Sequence, residues 1–246
     1  MKILVCVSKA PDTTSKIAFK DGNSSFDEAG VQFIVNPYDE WYALVRAIEL
    51  KEANGGSVTT ITVGGVDHDP IIRKALAIGA DAAVRVDKTA TDSYDTASEI
   101  ANYAKSENFD LIICGKETIN HNGGVVGGML AELLDLPYVS LATKLEVSGS
   151  ESTVSREAGA GIEVVSVDGP LVLSAAKGMA EQRIPNMRGI MAARSKPLQV
   201  IAPSNMDSFT SIGQYTLPEE KGDCTYIDAE NPSELIRLLN EEAKVL

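Results

Sequence analysis

The sequence predicts an α/β protein: a doubly wound, mostly parallel sheet with antiparallel additions and an extended C-terminal arm. Three observations carry that expectation. Short apolar runs alternate with helical patterns through the first half of the chain, the signature of strand–helix–strand units. One of those runs ends in a glycine-rich loop that opens a further helix, between Asp110 and Leu134. The chain is 44% hydrophobic but only 5% aromatic, so Val, Ile, Leu and Ala must fill the core, as in sheets buried on both faces. A length of 246 residues suits one large domain with an appendage.

Taken in order, Ile3–Val7 is an apolar run and the first strand. Tyr38, Trp41, Val45 and Ile48 follow at helical spacing, and Val58–Val63 is the next strand. Pro70–Ile78 reads as helix, Ala83–Val86 as strand, Ser93–Ser106 as helix and Leu111–Cys114 as strand. The polar loop from Gly115 then meets Gly123, Gly124, Gly127 and Gly128, and Val125, Val126, Met129, Leu130, Leu133 and Leu134 mark one helix face. After Pro137 the pattern shortens. Leu141–Val147, Thr153–Glu157, Ile162–Val167 and Leu171–Ser174 are strands separated by the turn signals Ser148-Gly149 and Asp168-Gly169-Pro170, and are expected to extend the sheet antiparallel.

Lys177–Pro197 is locally basic, with Arg183, Arg188, Arg194 and Lys196 opposed only by Glu181. Ile201–Glu230 shows little periodicity. A last helix is signalled by Asn231 as cap, Pro232 in the first turn and Glu234, with Leu235, Ile236, Leu238 and Leu239 as its apolar face. These features divide the chain into a domain over 1–200, with a loop at 181–197, and an arm over 201–246. The terminal helix either reaches a neighbour or docks on its own domain.

Composition limits the function. A net charge of −13 argues against nucleic acid or an anionic membrane as a general partner. No apolar run is long enough to span a bilayer, and the N-terminal residues read as strand instead of leader. The three cysteines, Cys6, Cys114 and Cys224, have no metal or redox spacing, so a reducing cytoplasm is expected. His68 and His121 are the only histidines, which leaves little material for histidine-based catalysis. The stretch after Cys114 points instead to binding. A buried strand delivers a loop to a helix N-terminus, where unpaired N–H groups and the positive dipole end favour phosphate. Packing of a helix against the sheet is the competing role for the same glycines. The loop is neither a Walker loop nor the GxGxxG fingerprint, and Lys116 comes too early to be a P-loop lysine. In a doubly wound sheet the ligand would sit at the C-terminal strand ends, near the loops after Val7, Val63 and Cys114.

Five segments, in order, resemble the small (beta) subunit of electron-transfer flavoproteins. They are the opening MKILVCVSKAPDT, NPYDEWYALVRAIELKE (Asn36–Glu52), IRKALAIGADAAVRV (Ile72–Val86), GKETINHNGGVVGGMLAELLDLP (Gly115–Pro137) and RIPNMRGIMAARSKP (Arg183–Pro197). The resemblance runs over nearly the whole chain. It implies an adenine-nucleotide-binding, Rossmann-like fold and an electron carrier without its own catalytic acid, base or nucleophile. It also implies a heterodimer whose large (alpha) subunit supplies most of a redox-active FAD site. Donors would be acyl-CoA or other flavin dehydrogenases, and a quinone oxidoreductase the acceptor. The small subunit of the family holds a structural AMP or, in electron-bifurcating members, a second FAD.

Carried over residue by residue, the nucleotide contacts fall on Cys6, Asn36, Pro37, Tyr38, Asp39, Val63, Gly115, Asn120, His121, Asn122, Gly123, Gly124, Val125 and Val126. Asn36 and Asp39 have an ordinary alternative role as helix caps. Arg183, Met187 and Arg188 fall in the family's partner-recognition loop, Met187 at the position of an exposed leucine anchor. Glu157 falls where the family faces the mobile flavin domain of the large subunit. Thr13 falls near the flavin ring. The chain departs from the family where acids are usual at 120–122, where Val125 replaces a glutamine, and where Gly159 replaces an acid. These departures leave AMP or a second FAD open. Two other classes compete with the carrier. A universal-stress-type nucleotide module lacks a counterpart of the loop and arm. An adenylating or hydrolysing enzyme on this fold would need glycines after the first strand, where SKAPDTTS has none.

Overall fold

The computed structural model describes residues 1–204, 206 and 208–246. Its strands are β1 (Lys2–Cys6), β2 (Lys9–Pro11), β3 (Phe19–Lys20), β4 (Ser25–Phe26), β5 (Phe33–Val35), β6 (Ser57–Val63), β7 (Ala82–Val86), β8 (Leu111–Gly115), β9 (Tyr138–Ser148), β10 (Glu151–Ala158), β11 (Gly161–Asp168), β12 (Leu171–Ala175) and β13 (Leu198–Ile201). The α-helices are α1 (Asp39–Asn54), α2 (Asp69–Ile78), α3 (Ser93–Ala104), α4 (Val126–Leu134), α5 (Met187–Ala193) and α6 (Pro232–Arg237). No helix among the described residues is long and apolar enough to cross a membrane.

The main sheet has the order β11-β10-β9-β12-β8-β1-β6-β7-β13. From β9 to β13 every ladder is parallel, and only β10 and β11 are antiparallel additions. The chain grows outward from β1 through β6 to β7, then returns across β1 to β8 and continues the other way. Parallel crossovers keep one hand, so this reversal moves the helices to the opposite face. Alternation along β1 records the two layers. Ile3 and Val5 join a core with residues of α1 and α2, while Leu4 and Cys6 join a core with residues of α3 and α4.

The expected elements form, with two corrections. Neither Leu141–Val147 nor Leu171–Ser174 is an antiparallel addition: β9 is the last parallel strand, and β12 inserts between it and β8, parallel to both. All residues of β12 are buried, and a strand buried at every position fits only a place covered on both faces. The second correction is β13, which pairs parallel with β7 at the end of the basic segment and closes that sheet edge. The boundary drawn at 200/201 therefore falls inside a strand.

The arm beyond β13 is fastened at its start. The Asp92 carboxylate accepts from the Phe209 and Thr210 amides, each at 2.9 Å, and Glu99 accepts from the Ser204 amide at 2.8 Å. Tyr215 stacks on Phe19 with ring centroids 4.7 Å apart. Past that point the arm is exposed. The Asn231 side chain makes no capping bond, and Leu235 and Ile236 of α6 are exposed and not docked on the domain.

Candidate functional site

Strand order reverses between β1 and β8, and ligands of doubly wound sheets sit outside the C-terminal strand ends at such a point. The N-terminus of α1 closes one side of this crevice. Asn36 is fully buried, and its side chain serves the opposite loop and does not cap a helix. Its Nδ2 donates to the Glu117 carbonyl at 2.8 Å, and its Oδ1 accepts from the Ile119 amide at 3.2 Å. The alternative role of Asn36 and Asp39 as helix caps is thus not taken up. Tyr38 occupies the cap position with no side-chain bond, and Asp39 begins the helix. The reason is a tight turn. The Asp39 amide donates to the Pro37 carbonyl at 3.0 Å while Tyr38 has φ 66° and ψ −85°, the rare positive-φ form of the γ-turn, a strained geometry for a residue with a side chain. Such strain persists where surroundings over-determine it, and here it aims an exposed tyrosine out of the crevice rim.

Gly115 lets α1 approach. A Cβ there would lie 2.8 Å from Glu40 Cγ and 3.1 Å from Asp39 Cβ. The two acids are buried. Burial pushes the Asp39 carboxyl up to about 6, against the pull of the Lys116 ammonium, with the Glu117 charge pushing the same way as burial. Burial pushes Glu40 further, to about 8, although its carboxyl accepts from the Ser8 amide at 2.7 Å and the Ser8 hydroxyl at 2.8 Å. Burial therefore favours the neutral form of Glu40, which repels an anion less than a carboxylate would. Cys6 and Cys114 lie side by side beneath the crevice as free, buried thiols. The Cys6 thiol is held well above its ordinary value by its hydrogen bond with Cys114 and by burial, so it behaves as core and not as a nucleophile.

The far side of the crevice is the loop from Lys116 to Val125. It folds on itself through the Thr118 amide donating to Gly123 at 3.0 Å. Asn120, His121 and Asn122 form its exposed tip. Gly124 is required because a Cβ would lie 2.9 Å from the Lys116 carbonyl. The first turn of α4 has no side-chain cap, since Val125 occupies that position, so its leading N–H groups face the loop without a polar side chain to satisfy them. The last two glycines play the competing role. A Cβ on Gly127 would meet the Tyr138 ring at 3.0 Å, so these residues seat α4 on β9.

The structure brings Asn36, Pro37, Tyr38, Asp39 and Gly115 together, with Cys6 below and the loop from Asn120 to Val126 opposite. Val63 ends β6, one strand beyond β1. Lys116, in the loop after Gly115, also lies here, and Glu40 and Ser8 complete the site without having been anticipated as members of it. The adjacent acids Asp39 and Glu40 in a first helical turn were the only signal for Glu40. The partner-facing candidates form two separate patches. Glu157 is exposed on β10, opposite Ile162 of the sheet-edge strand. Arg183, Met187 and Arg188 lie on and before α5, which packs on α2. Among the described residues no group of three or more His, Cys, Asp or Glu side chains is arranged to hold a metal.

Comparison with known proteins identifies the fold's relatives. Residues 24–206 match the family model described as electron transfer flavoprotein domain. The chain is 36% identical to the electron transfer flavoprotein subunit beta of Bacillus subtilis, with all of both chains covered. It is 38% identical to the protein of the same name from Syntrophomonas wolfei, over 90% of this chain and 87% of that one. A mitochondrial electron transfer flavoprotein subunit beta of Oryza sativa subsp. indica is 32% identical over the full length of both.

Proposed function

Because the chain belongs to the electron-transfer flavoprotein family, among its beta subunits, we propose that it is the small subunit of a heterodimeric electron carrier. In this reading a large subunit holds most of a redox-active FAD, and this chain forms one wall of that site and binds AMP in its own strand-end crevice. The observation that carries the nucleotide assignment is the uncapped, glycine-led N-terminus of α4 at the β1/β8 switch point, with its leading loop held by Asn36 beside the strained turn at Tyr38.

The residues present fit such a ligand. The leading N–H groups of α4, with Gly123 and Gly124 giving close backbone approach, suit a phosphate. Neutral side chains at Asn120, His121 and Asn122 add no repulsion. Asp39 is a buried acceptor for a ribose hydroxyl or a base amine, and Glu40, whose neutral form burial favours, fixes Ser8. Cys6 and Val63 supply apolar floor. Bound FAD would supply the chemistry of accepting and releasing electrons, while AMP would serve as a packed structural group.

Electrons arrive from acyl-CoA or other flavin dehydrogenases and leave to a quinone oxidoreductase, with Met187, Arg183 and Arg188 facing the donor and Glu157 facing the large subunit. The cytoplasm is the compartment of this reading. The test is to denature the purified heterodimer and quantify released nucleotides by chromatography and mass. One FAD and one AMP per heterodimer are expected. Two FAD and no AMP would place a flavin in the Gly115–Val126 site and assign the chain to the bifurcating kind. A stable, colourless homodimer formed in the presence of a large subunit would sink the carrier reading.

A further inference from the structure

The face assigned above to the dehydrogenase lies on α5, and the inference rests on that assignment. The helix has seven residues, too few to persist in water by its own hydrogen bonds. It nonetheless presents Met187 and Met191 at 75% and 65% exposure, with Ile184 beside them at 82%. Something else holds it in place.

That something is a mutual exchange of helix caps with α2. From the middle of α2, one guanidinium nitrogen of Arg73 donates to the carbonyls of Ala193 and Lys196, both at 2.8 Å. Ala193 is the last residue of α5. From just beyond α5, the Lys196 ammonium donates back to the carbonyls of Leu76 at 2.9 Å and Ala80 at 2.5 Å, at the end of α2. Each cation sits where orphan carbonyls and the negative dipole end collect. The helices can lie this close because Gly189 has no Cβ where the Ala77 carbonyl sits. At the other end Asn186 Oδ1 accepts from the Gly189 amide at 2.8 Å. The stem is tied by Glu52 accepting twice from Arg183, at 2.7 and 3.0 Å, and by Trp41 Nε1 donating to the Arg183 carbonyl at 3.3 Å.

We propose that Arg73 and Lys196 are positioning residues for electron delivery, holding the apolar face of α5 in its docking geometry although neither belongs to that face. A pre-formed face spares the partner the cost of ordering it. Their loss should weaken encounter with the dehydrogenase and leave the flavin chemistry alone.

The experiment measures steady-state reduction of the intact heterodimer by an acyl-CoA dehydrogenase that reduces the wild type, with heterodimer concentration varied. Arg73→Met and Lys196→Met should each raise the KM for the heterodimer by about tenfold, with kcat within about twofold and bound flavin unchanged. Arg73→Lys, whose ammonium can still donate to the same carbonyls, should recover most of the loss. Hydrogen exchange in Arg73→Met should accelerate on α5 and remain unchanged on β1 and α1. Met187→Asp separates the two levels of the argument. If it raises KM while Arg73→Met and Lys196→Met do not, the positioning role is overturned and the docking face stands. If all three transfer normally, the docking face itself falls. Loss of flavin, or faster exchange throughout the domain, would assign Arg73 and Lys196 to the fold alone and also overturn the proposal.

Discussion

Glu40 shows how much a single residue decides at the strand ends. It follows Asp39 in the first turn of α1, where an acid normally favours a helix through the dipole. Its side chain turns inward to Ser8 instead, and burial lifts its pKa from an ordinary 4.5 to about 8. A carboxyl with a raised folded-state value contributes stability that is complete below the unfolded value and is lost as pH rises through the folded value. The loss therefore runs from about pH 4.5 to about pH 8, and is on the order of a few kcal/mol. Asp39, raised from 3.8 to about 6, adds to it in the same direction over the lower part of that range. Glu40→Gln keeps the shape and an acceptor for Ser8 while removing the charge. Thermal melts should show this variant more stable than wild type at pH 9, with the difference closing at pH 4. A variant less stable at both pH values would mean that Glu40 is ionised and stabilising in the fold. No pattern in the sequence distinguishes Glu40 from a solvated acid in a first turn, because its burial comes from Ser8 and Gly115, distant in the chain. Asn36 was ambiguous for the same reason. Its position before Pro37 allows a cap as well as a ligand contact, and only the fold shows the loop after β8 offering it a donor and an acceptor at once.

At the scale of elements, the glycines at the start of α4 divide their work. Gly124 clears the loop's own backbone, and Gly127 clears the Tyr138 ring, which is anchored by its hydroxyl donating to Ser174 Oγ at 3.0 Å. Gly127→Ala should cost about 1–3 kcal/mol by overpacking. Gly128→Ala meets the same ring at an ordinary 3.5 Å, so the better helix propensity of alanine should leave stability equal or raise it by about 1 kcal/mol. Denaturant unfolding of the two variants checks the contrast, and equal losses would remove the packing argument. The strands with continuous apolar runs and the longer helices were legible, since period and length survive any context. The position of β12 was not, although its composition hinted at a central strand. Nor was β13, whose four residues, two exposed between two half-buried, show no period to distinguish them from loop. α5 has no propensity signal strong enough to stand alone, and its existence depends on α2.

For the whole molecule, the arm marks where this chain's own packing stops. Its beginning is latched to α3 through Asp92 and Glu99, while Tyr226, Leu235, Ile236, Val245 and Leu246 remain exposed. A chain ending at Leu217 should keep a melting temperature within a few degrees of the full chain, because it retains the stack of Tyr215 on Phe19. It should fail to co-purify with the large subunit. Retained association would move the interface to the domain, and a collapsed melting temperature would make the arm part of the fold. The sequence by itself determined the class of sheet, the succession of its main strands and helices and the family, because burial period and ordered local motifs are written residue by residue. Tertiary structure alone decided which strands are neighbours, which acids are buried, and how a seven-residue helix is held against its neighbour. Those outcomes depend on groups far apart in sequence meeting across the β1/β8 crevice and the α2–α5 contact.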